Sequence, residues 1–136
     1  IASVVAFIPM PYMALYAASK AFVKSFSEAI AEEFLPYGVH VMVFCPGLTK
    51  TNFNAAAGLE NEQGKGLSLD YSRAKAILQT PEEVAKALVN ALAKKKRISV
   101  SGFKHRVGAA MFSFLPNRWI AHVVRKRYQK AMNKIS

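Results

Sequence analysis

The sequence contains little cysteine and histidine. Cys45 is the single cysteine among 136 residues, so neither a disulfide framework nor a cysteine-rich metal site can form within the chain. It lies in the apolar run VHVMVFCPG, which predicts a buried and reduced thiol. The three histidines are scattered and have no partners at ligand spacing. The sequence therefore predicts no metal site.

Long apolar runs are also missing. No run reaches the roughly 18 residues that would span a bilayer, and the opening has neither the basic region nor the cleavage pattern of a signal peptide. We therefore expect a cytoplasmic protein. The chain opens on Ile1 rather than methionine, which suggests that the sequence starts inside a longer polypeptide.

Acidic residues are absent after Glu83, whereas twelve of the nineteen lysines and arginines lie between Lys94 and Lys134. The net charge of +11 is therefore concentrated in the second half of the chain. Two amphipathic segments broken at Pro116 follow residue 103. We predict a domain over 1–103 and a basic amphipathic helical extension over 104–136.

The first 45 residues alternate between strand and helix patterns. Residues 1–8 are β-branched and aromatic, as in a buried strand and its exit, and 39–44 predict a second buried strand. Apolar residues recur at helical spacing from Tyr16 to Leu35, until Pro36 and Gly38 end the pattern. The residues predicted on or near the apolar face of this helix are Phe22, Phe26, Ala29, Ile30 and Phe34.

The second half continues this alternation. Residues 46–67 predict a long loop, and a helix is predicted to start at Thr80, with Glu83 completing a capping box. A short strand, RISVSG, follows at 97–102. Helices between buried strands indicate an α/β fold with a parallel sheet.

One helical turn carries residues suited to proton transfer. In the stretch LYAASKAF, Tyr16 and Lys20 are four positions apart and lie on the same helix face. A nearby ammonium stabilises an ionised phenol, so this pair can exchange a proton near neutral pH. Tyrosine and lysine at this spacing are also common on helices as packing beside a solvated charge, and the pair alone does not decide between these interpretations.

Further residues distinguish the two interpretations. Ser3 precedes Tyr16 by thirteen positions at a predicted strand end, the full motif reads YAASK, and PGLTKT follows the next predicted strand. As a set, these residues resemble the short-chain dehydrogenase/reductase family, with its serine, its YxxxK motif and its PGxxxT loop. The resemblance implies a Rossmann-like doubly wound parallel sheet, of which this chain is the carboxyl-terminal half.

The resemblance also implies an activity. The family consists of NAD(P)-dependent oxidoreductases that interconvert a carbonyl and an alcohol by hydride transfer. By this likeness Tyr16 is the catalytic acid or base, Ser3 binds the substrate oxygen, and Lys20 assists Tyr16 and binds the nicotinamide ribose. The substrate is a small carbonyl or alcohol, and NADP is favoured over NAD.

The likeness extends to the loop after the second predicted strand. Pro46, Gly47, Leu48 and Thr51 would face the nicotinamide, together with Tyr16 and Lys20, as cofactor-binding residues. The segment 52–79 would close over the substrate.

The glycine-rich turn that binds the pyrophosphate in this family is missing, because the seven glycines form no such pattern. We expect that turn upstream of residue 1. A sheet built from half its strands exposes an edge and an apolar face. We therefore predict that this polypeptide alone aggregates readily, binds no nicotinamide and is inactive.

The basic extension allows functions of another class. Aromatic residues interleave with its positive charges, which suits an anionic membrane surface. Alternatively its apolar residues pack on the domain or on another subunit of a homo-oligomer. A nucleic-acid role is not favoured, because no binding fold or stacking module is recognisable. The chain could also be a non-catalytic binding module that has kept the fold.

Overall fold

The computed structural model describes residues 1–51 and 76–132. Most of the predicted lid, 52–79, lies outside these ranges. In chain order the elements are a 3₁₀ turn (Val4–Phe7), α1 (Ala14–Phe34), a second 3₁₀ turn (Leu35–Tyr37), β1 (Val43–Cys45), α2 (Pro81–Ala93), β2 (Ile98–Val100), α3 (Phe103–Ser113) and α4 (Asn117–Met132).

Two parallel strands form the sheet of the described chain. β1 pairs with β2 in the register Val43 with Ile98 and Cys45 with Val100. All three residues of β1 are buried, as expected for a parallel strand covered on both faces. α2 lies in the connection between the strands, so the predicted α/β architecture is confirmed. β1 begins four residues later than the predicted strand 39–44 and ends one residue later. Its ladder with β2 contains three residue pairs.

Residues 1–8 form no strand in the structure, although the sequence predicts one. The Ala2 amide donates to the Phe44 carbonyl at 2.8 Å and the Val4 amide to the Pro46 carbonyl at 3.0 Å, so this segment runs parallel to β1. The chain then leaves the sheet in the 3₁₀ turn that Ser3 caps. A strand continuing to residue 8 is therefore wrong, because the Ser3 side chain offers the backbone a competing turn.

α1 agrees with the predicted helix within two residues at each end. It stops before Pro36, and Gly38 adopts a φ of +73° while its amide donates to the Leu35 carbonyl. Such a left-handed glycine is a common end of a helix, because only glycine adopts it without strain. The chain then turns toward β1.

The apolar face predicted for α1 differs from the face that packs. Phe22 and Phe26 stack on one another but are 68% and 53% exposed, whereas Ala17 and Ala31 are buried. Val23 packs against the cluster of Ala2, Val43 and Cys45. Val23 is thus the α1 residue that packs at the sheet, whereas Ala17 packs with Met10 and Tyr128 and the large aromatic residues are exposed.

α2 begins as predicted. The Glu83 amide donates to Thr80 Oγ1 at 3.2 Å, and the Thr80 amide donates to Glu83 Oε2 at 2.8 Å. The capping box is therefore confirmed, since each side chain satisfies an amide that the first helical turn leaves unpaired.

The basic extension forms α3 and α4, with the predicted break at Pro116. Tyr128 of α4 is buried with Met10 and Ala17, and its hydroxyl donates to Met13 Sδ at 3.3 Å. Contacts therefore cross from the extension to the segment before α1, and the boundary after residue 103 stays a prediction. Within 1–51 and 76–132, none of the helices combines the length and apolarity needed to cross a membrane.

Candidate active site

Tyr16 and Lys20 lie on one face of the first turns of α1. Lys20 Nζ is 5.7 Å from the centroid of the Tyr16 ring, and both side chains are half-buried. The helix start is held by Ala17, which is buried with Met10 and Tyr128. The cation and the phenol are thus neighbours, as their four-residue spacing requires.

Ser3 lies beside the strand that leads to the PG loop. It is buried, with extended backbone (φ −167°, ψ 160°), between the Ala2 and Val4 amides that pair with Phe44 and Pro46. Its Oγ accepts a 3.4 Å hydrogen bond from the Val5 amide. A hydroxyl that accepts through its oxygen still carries a proton to donate.

The PG loop, residues 46–51, follows the carboxyl end of β1. The Gly47 amide donates to Ser101 Oγ at 2.8 Å, and the Leu48 amide donates to His105 Nε2 at 3.1 Å. Thr49 Oγ1 donates to the Gly47 carbonyl at 2.9 Å. Both peptides after Pro46 are therefore fixed by side chains that follow β2.

Gln79 holds the other side of the same loop. Its amide donates to the Leu48 carbonyl, and its carbonyl accepts from the Lys50 amide, each at 2.9 Å. Its side-chain Oε1 accepts from Ser101 Oγ at 2.7 Å. The backbone and side chain of Gln79 thus join the PG loop to the residue after β2.

Sequence reasoning missed Gln79, Ser101 and His105. None belongs to a motif, and the sequence offers His105 no partner at ligand spacing. The available signal is topological: the carboxyl ends of parallel strands meet at one edge of a sheet, so residues after Cys45 and Val100 must be neighbours.

Gly47 is required by close packing. A Cβ atom at this position would lie 2.2 Å from His105 Nδ1, well inside van der Waals contact. The His105 ring therefore lies directly against the Gly47 backbone. In this loop, glycine makes space for a neighbouring ring.

Burial shifts the titration of two side chains here. It lowers the pKa of His105 below its ordinary value, partly offset by a hydrogen bond to the Ser101 backbone. Burial also raises the pKa of the Cys45 thiol, and Cys45 is buried as the sequence predicts. Within the two described ranges, no three His, Cys, Asp or Glu side chains group as a metal site would require.

The structure arranges the predicted site residues in two groups. Ser3 lies beside Pro46 at the sheet, with Gly47 and Leu48 following in the PG loop, and Tyr16 lies with Lys20 on α1. Thr51 is exposed at the end of the first described range. The catalytic and cofactor-binding roles of these residues remain predictions.

Known proteins resemble the chain across these residues. Residues 1–62 match the family model described as short chain dehydrogenase. This segment contains Ser3, Tyr16, Lys20 and the PG loop. The chain belongs to the short-chain dehydrogenase family. Its two parallel strands and packed helices are accordingly part of a Rossmann-like α/β fold, and the chain is related to oxidoreductases.

Three relatives show the extent of this similarity. Dehydrogenase/reductase SDR family member 7B of Xenopus laevis is 34% identical over 103 residues, 75% of this chain and 31% of that protein. Probable oxidoreductase EphD of Mycobacterium tuberculosis is 32% identical over 104 residues, 72% of this chain and 18% of that protein. Alcohol dehydrogenase 1 of Ceratitis capitata is 41% identical over 75 residues, 54% of this chain and 27% of that protein.

This short-chain dehydrogenase chain spans less than a third of each of these relatives. No solved structure matches it significantly.

Proposed function

We propose that the complete protein encoded by this gene interconverts a carbonyl and a secondary alcohol by hydride transfer with NAD or NADP. The observation that carries the proposal is the Lys20 ammonium beside the Tyr16 ring, 5.7 Å from its centroid, in a chain of the short-chain dehydrogenase family. Its relatives named dehydrogenase, oxidoreductase and alcohol dehydrogenase support the reaction class.

Tyr16 performs the proton transfer. Its hydroxyl gives a proton to the carbonyl oxygen during reduction and takes the alcohol proton during oxidation. The positive charge of Lys20 stabilises the phenolate that remains after the proton has left. Ser3 donates its hydroxyl proton to the same substrate oxygen and thereby orients the substrate.

The PG loop suits a nicotinamide cofactor. Ligands of open α/β sheets bind outside the carboxyl ends of the strands, and the PG loop leaves β1 at that edge. Its backbone is fixed by hydrogen bonds at Gly47 and Leu48, which gives a bound ring a rigid wall. Lys20, Thr51 and residues 46–48 would hold the cofactor, which supplies or accepts the hydride when it is bound.

The test uses the complete protein, NADPH or NADH, and a panel of ketones. We expect carbonyl-dependent oxidation of the reduced nicotinamide, with NADPH the better of the two. Tyr16→Phe should lower kcat by about 10²- to 10⁴-fold, because the general acid is lost. Tyr37→Phe is the matched control, since Tyr37 is 78% exposed after the end of α1.

Two results would contradict the proposal. One is a folded wild-type protein that binds neither nicotinamide cofactor, which would favour the non-catalytic alternative. The other is a Tyr16→Phe protein that keeps wild-type activity.

A second candidate function concerns α4. Ile120 is buried and Val124 packs near Tyr128, but Trp119 on the same helix is 55% exposed. Trp119 lines an open groove of about 610 Å³ together with Arg118 and Arg125. We infer that this face contacts an anionic lipid surface, because tryptophan and arginine suit the membrane interface.

Co-sedimentation of the complete protein with vesicles containing phosphatidylserine tests this second function. Binding at low salt should disappear at high salt and in the Arg118→Gln/Arg125→Gln protein. Lys86→Gln is the control, because it also removes a positive charge but does so on α2. Absence of sedimentation with these vesicles at low salt would overturn the inference.

The exposed face of α1 supports self-association. Leu15, Phe22 and Phe26 lie on one side of α1, seven and four residues apart, and have large exposed apolar side chains. We infer that a second copy of the chain covers this face in the complete protein. Phe22→Ser/Phe26→Ser should shift the mass measured by analytical ultracentrifugation toward the monomer, and an unchanged mass would contradict the inference.

A further inference from the structure

The His105 ring lies between the PG loop and the start of α3. Added Cβ atoms at Gly47 and Gly102 would lie 2.2 Å and 2.9 Å from His105 Nδ1. The ring therefore contacts the backbone that follows each of the two parallel strands.

The protonation state of His105 determines its hydrogen bond to the PG loop. Nε2 accepts from the Leu48 amide at 3.1 Å, which requires that Nε2 carry no proton. The neutral imidazole with its proton on Nδ1 accepts from Leu48 through Nε2, whereas the imidazolium has only donors and cannot accept.

The described charged groups around His105 leave this bond undisturbed. Lys104 Nζ donates to the Ala76 carbonyl at 3.0 Å, and the Arg106 guanidinium lies over the Phe103 ring. Lys50, on the PG loop, is exposed. Gln79 and Ser101, which contact the same loop, are uncharged. Burial lowers the pKa of His105, which favours the neutral ring at neutral pH.

We propose that His105 is a positioning residue that holds the PG loop in its cofactor-facing conformation by accepting the Leu48 amide, and that protonation of His105 releases this loop. The cofactor part of the inference rests on the proposed function. The hydrogen bond itself does not, so the two can be tested separately. Ser101 and Gln79 hold the neighbouring peptides, and His105 is the member of this set whose side chain can gain a proton.

The first measurement is amide hydrogen exchange over residues 47–50 in the complete protein. His105→Phe keeps a planar ring but removes the acceptor, so exchange of the Leu48 amide should accelerate about tenfold. His105→Gln can place an oxygen near the position of Nε2 and does not titrate. It should keep exchange within about twofold of wild type. In the wild type, protonation of His105 should reduce the protection of the Leu48 amide relative to its intrinsic exchange rate, and His105→Gln should lack this pH-dependent loss of protection.

The second measurement is the steady-state kinetics with the nicotinamide cofactor. His105→Phe should raise the cofactor KM by about tenfold with a smaller change in kcat, and His105→Gln should restore KM. Unchanged Leu48 exchange in a folded His105→Phe protein would overturn the inference even if the protein is an active reductase. Faster Leu48 exchange in His105→Phe, in a protein that binds no nicotinamide, would support the positioning role of His105. It would contradict only the proposed function.

A wild-type experiment covers the case in which His105→Phe does not fold. Nuclear magnetic resonance titration should show the Leu48 amide and the His105 imidazole shifting with one midpoint, below the ordinary value of 6.5. A Leu48 amide that does not respond to this titration would overturn the inference.

Discussion

The tyrosine–lysine pair and the PG loop are held in place in different ways. Tyr16 and Lys20 are four residues apart on one helix, and their proximity follows from α1 alone. The loop depends on partners far away in sequence: Gly47 bonds to Ser101, 54 residues later, and Leu48 to His105, 57 residues later. A local motif thus supplies the proposed proton transfer, and tertiary hydrogen bonds fix the PG loop.

This difference separates the expected effects of mutation. Changes to the pair should alter activity while leaving the fold intact, because both side chains are half-buried on the surface of α1. Changes to the partners of the loop should alter stability and loop order first, because several backbone groups lose their hydrogen bonds.

The largest effect is expected at the pair. Lys20→Met should lower kcat by about a hundredfold, because the charge that stabilises the phenolate is lost, while the melting temperature changes little. Lys24→Met is the matched control on the same helix. Lys24 forms a 2.7 Å ion pair with Glu28, and an exposed pair of this kind contributes only about 0–1 kcal/mol to stability. Equal losses of activity in Lys20→Met and Lys24→Met would contradict a specific role of Lys20 in the reaction.

An intermediate effect is expected at Gly47. Gly47→Ala should lower the free energy of unfolding by about 1–3 kcal/mol, measured by urea denaturation, because its Cβ would clash with His105. His105→Ala should relieve this loss, so the double variant should be more stable than the sum of the single effects predicts.

Gly38→Ala provides the control for this cycle. Its φ of +73° makes alanine unfavourable, but no heavy atom lies within 4 Å of an added Cβ. The stability that Gly38→Ala loses should therefore be the same with and without the His105 side chain. Strict additivity in the Gly47 cycle would contradict the close packing of His105 against the loop.

The smallest effect concerns pH. Burial lowers the pKa of His105 in the folded protein, so below about pH 6.5 the unfolded chain binds the proton more readily than the folded chain. The His105 contribution to stability is therefore present above this pH and is lost as the pH falls toward the folded pKa. His105→Gln should lack this part of the pH dependence of unfolding. The control is His122→Gln, at an exposed position of α4, which should retain it. A wild-type profile matching that of His105→Gln would contradict the prediction.

Local features of the fold could be predicted from sequence. Thr80 and Glu83 form the predicted capping box, and Pro36 with Gly38 ends α1. These features depend on residues within a few positions of one another, so spacing alone determines them. The spacing of Tyr16 and Lys20 is predictive for the same reason.

Features that depend on tertiary packing were not predictable. The apolar periodicity of α1 predicts that Phe22 and Phe26 face the core, yet Val23 and Ala17 make the core contacts and the two phenylalanines are exposed. Hydrophobicity marks an apolar face without identifying its partner. The strand predicted over 1–8 does not form, because Ser3 caps a 3₁₀ turn there, and His105 carries no motif that connects it to Leu48.

The most direct test of the account is a double-mutant cycle on kcat of the complete protein, with Tyr16→Phe, Lys20→Met and both changes together. If the ammonium acts through the phenol, the double variant should lose about as much activity as Tyr16→Phe alone. A loss equal to the product of the two single losses would show that the residues act independently, and would contradict the assignment of one proton-transfer unit.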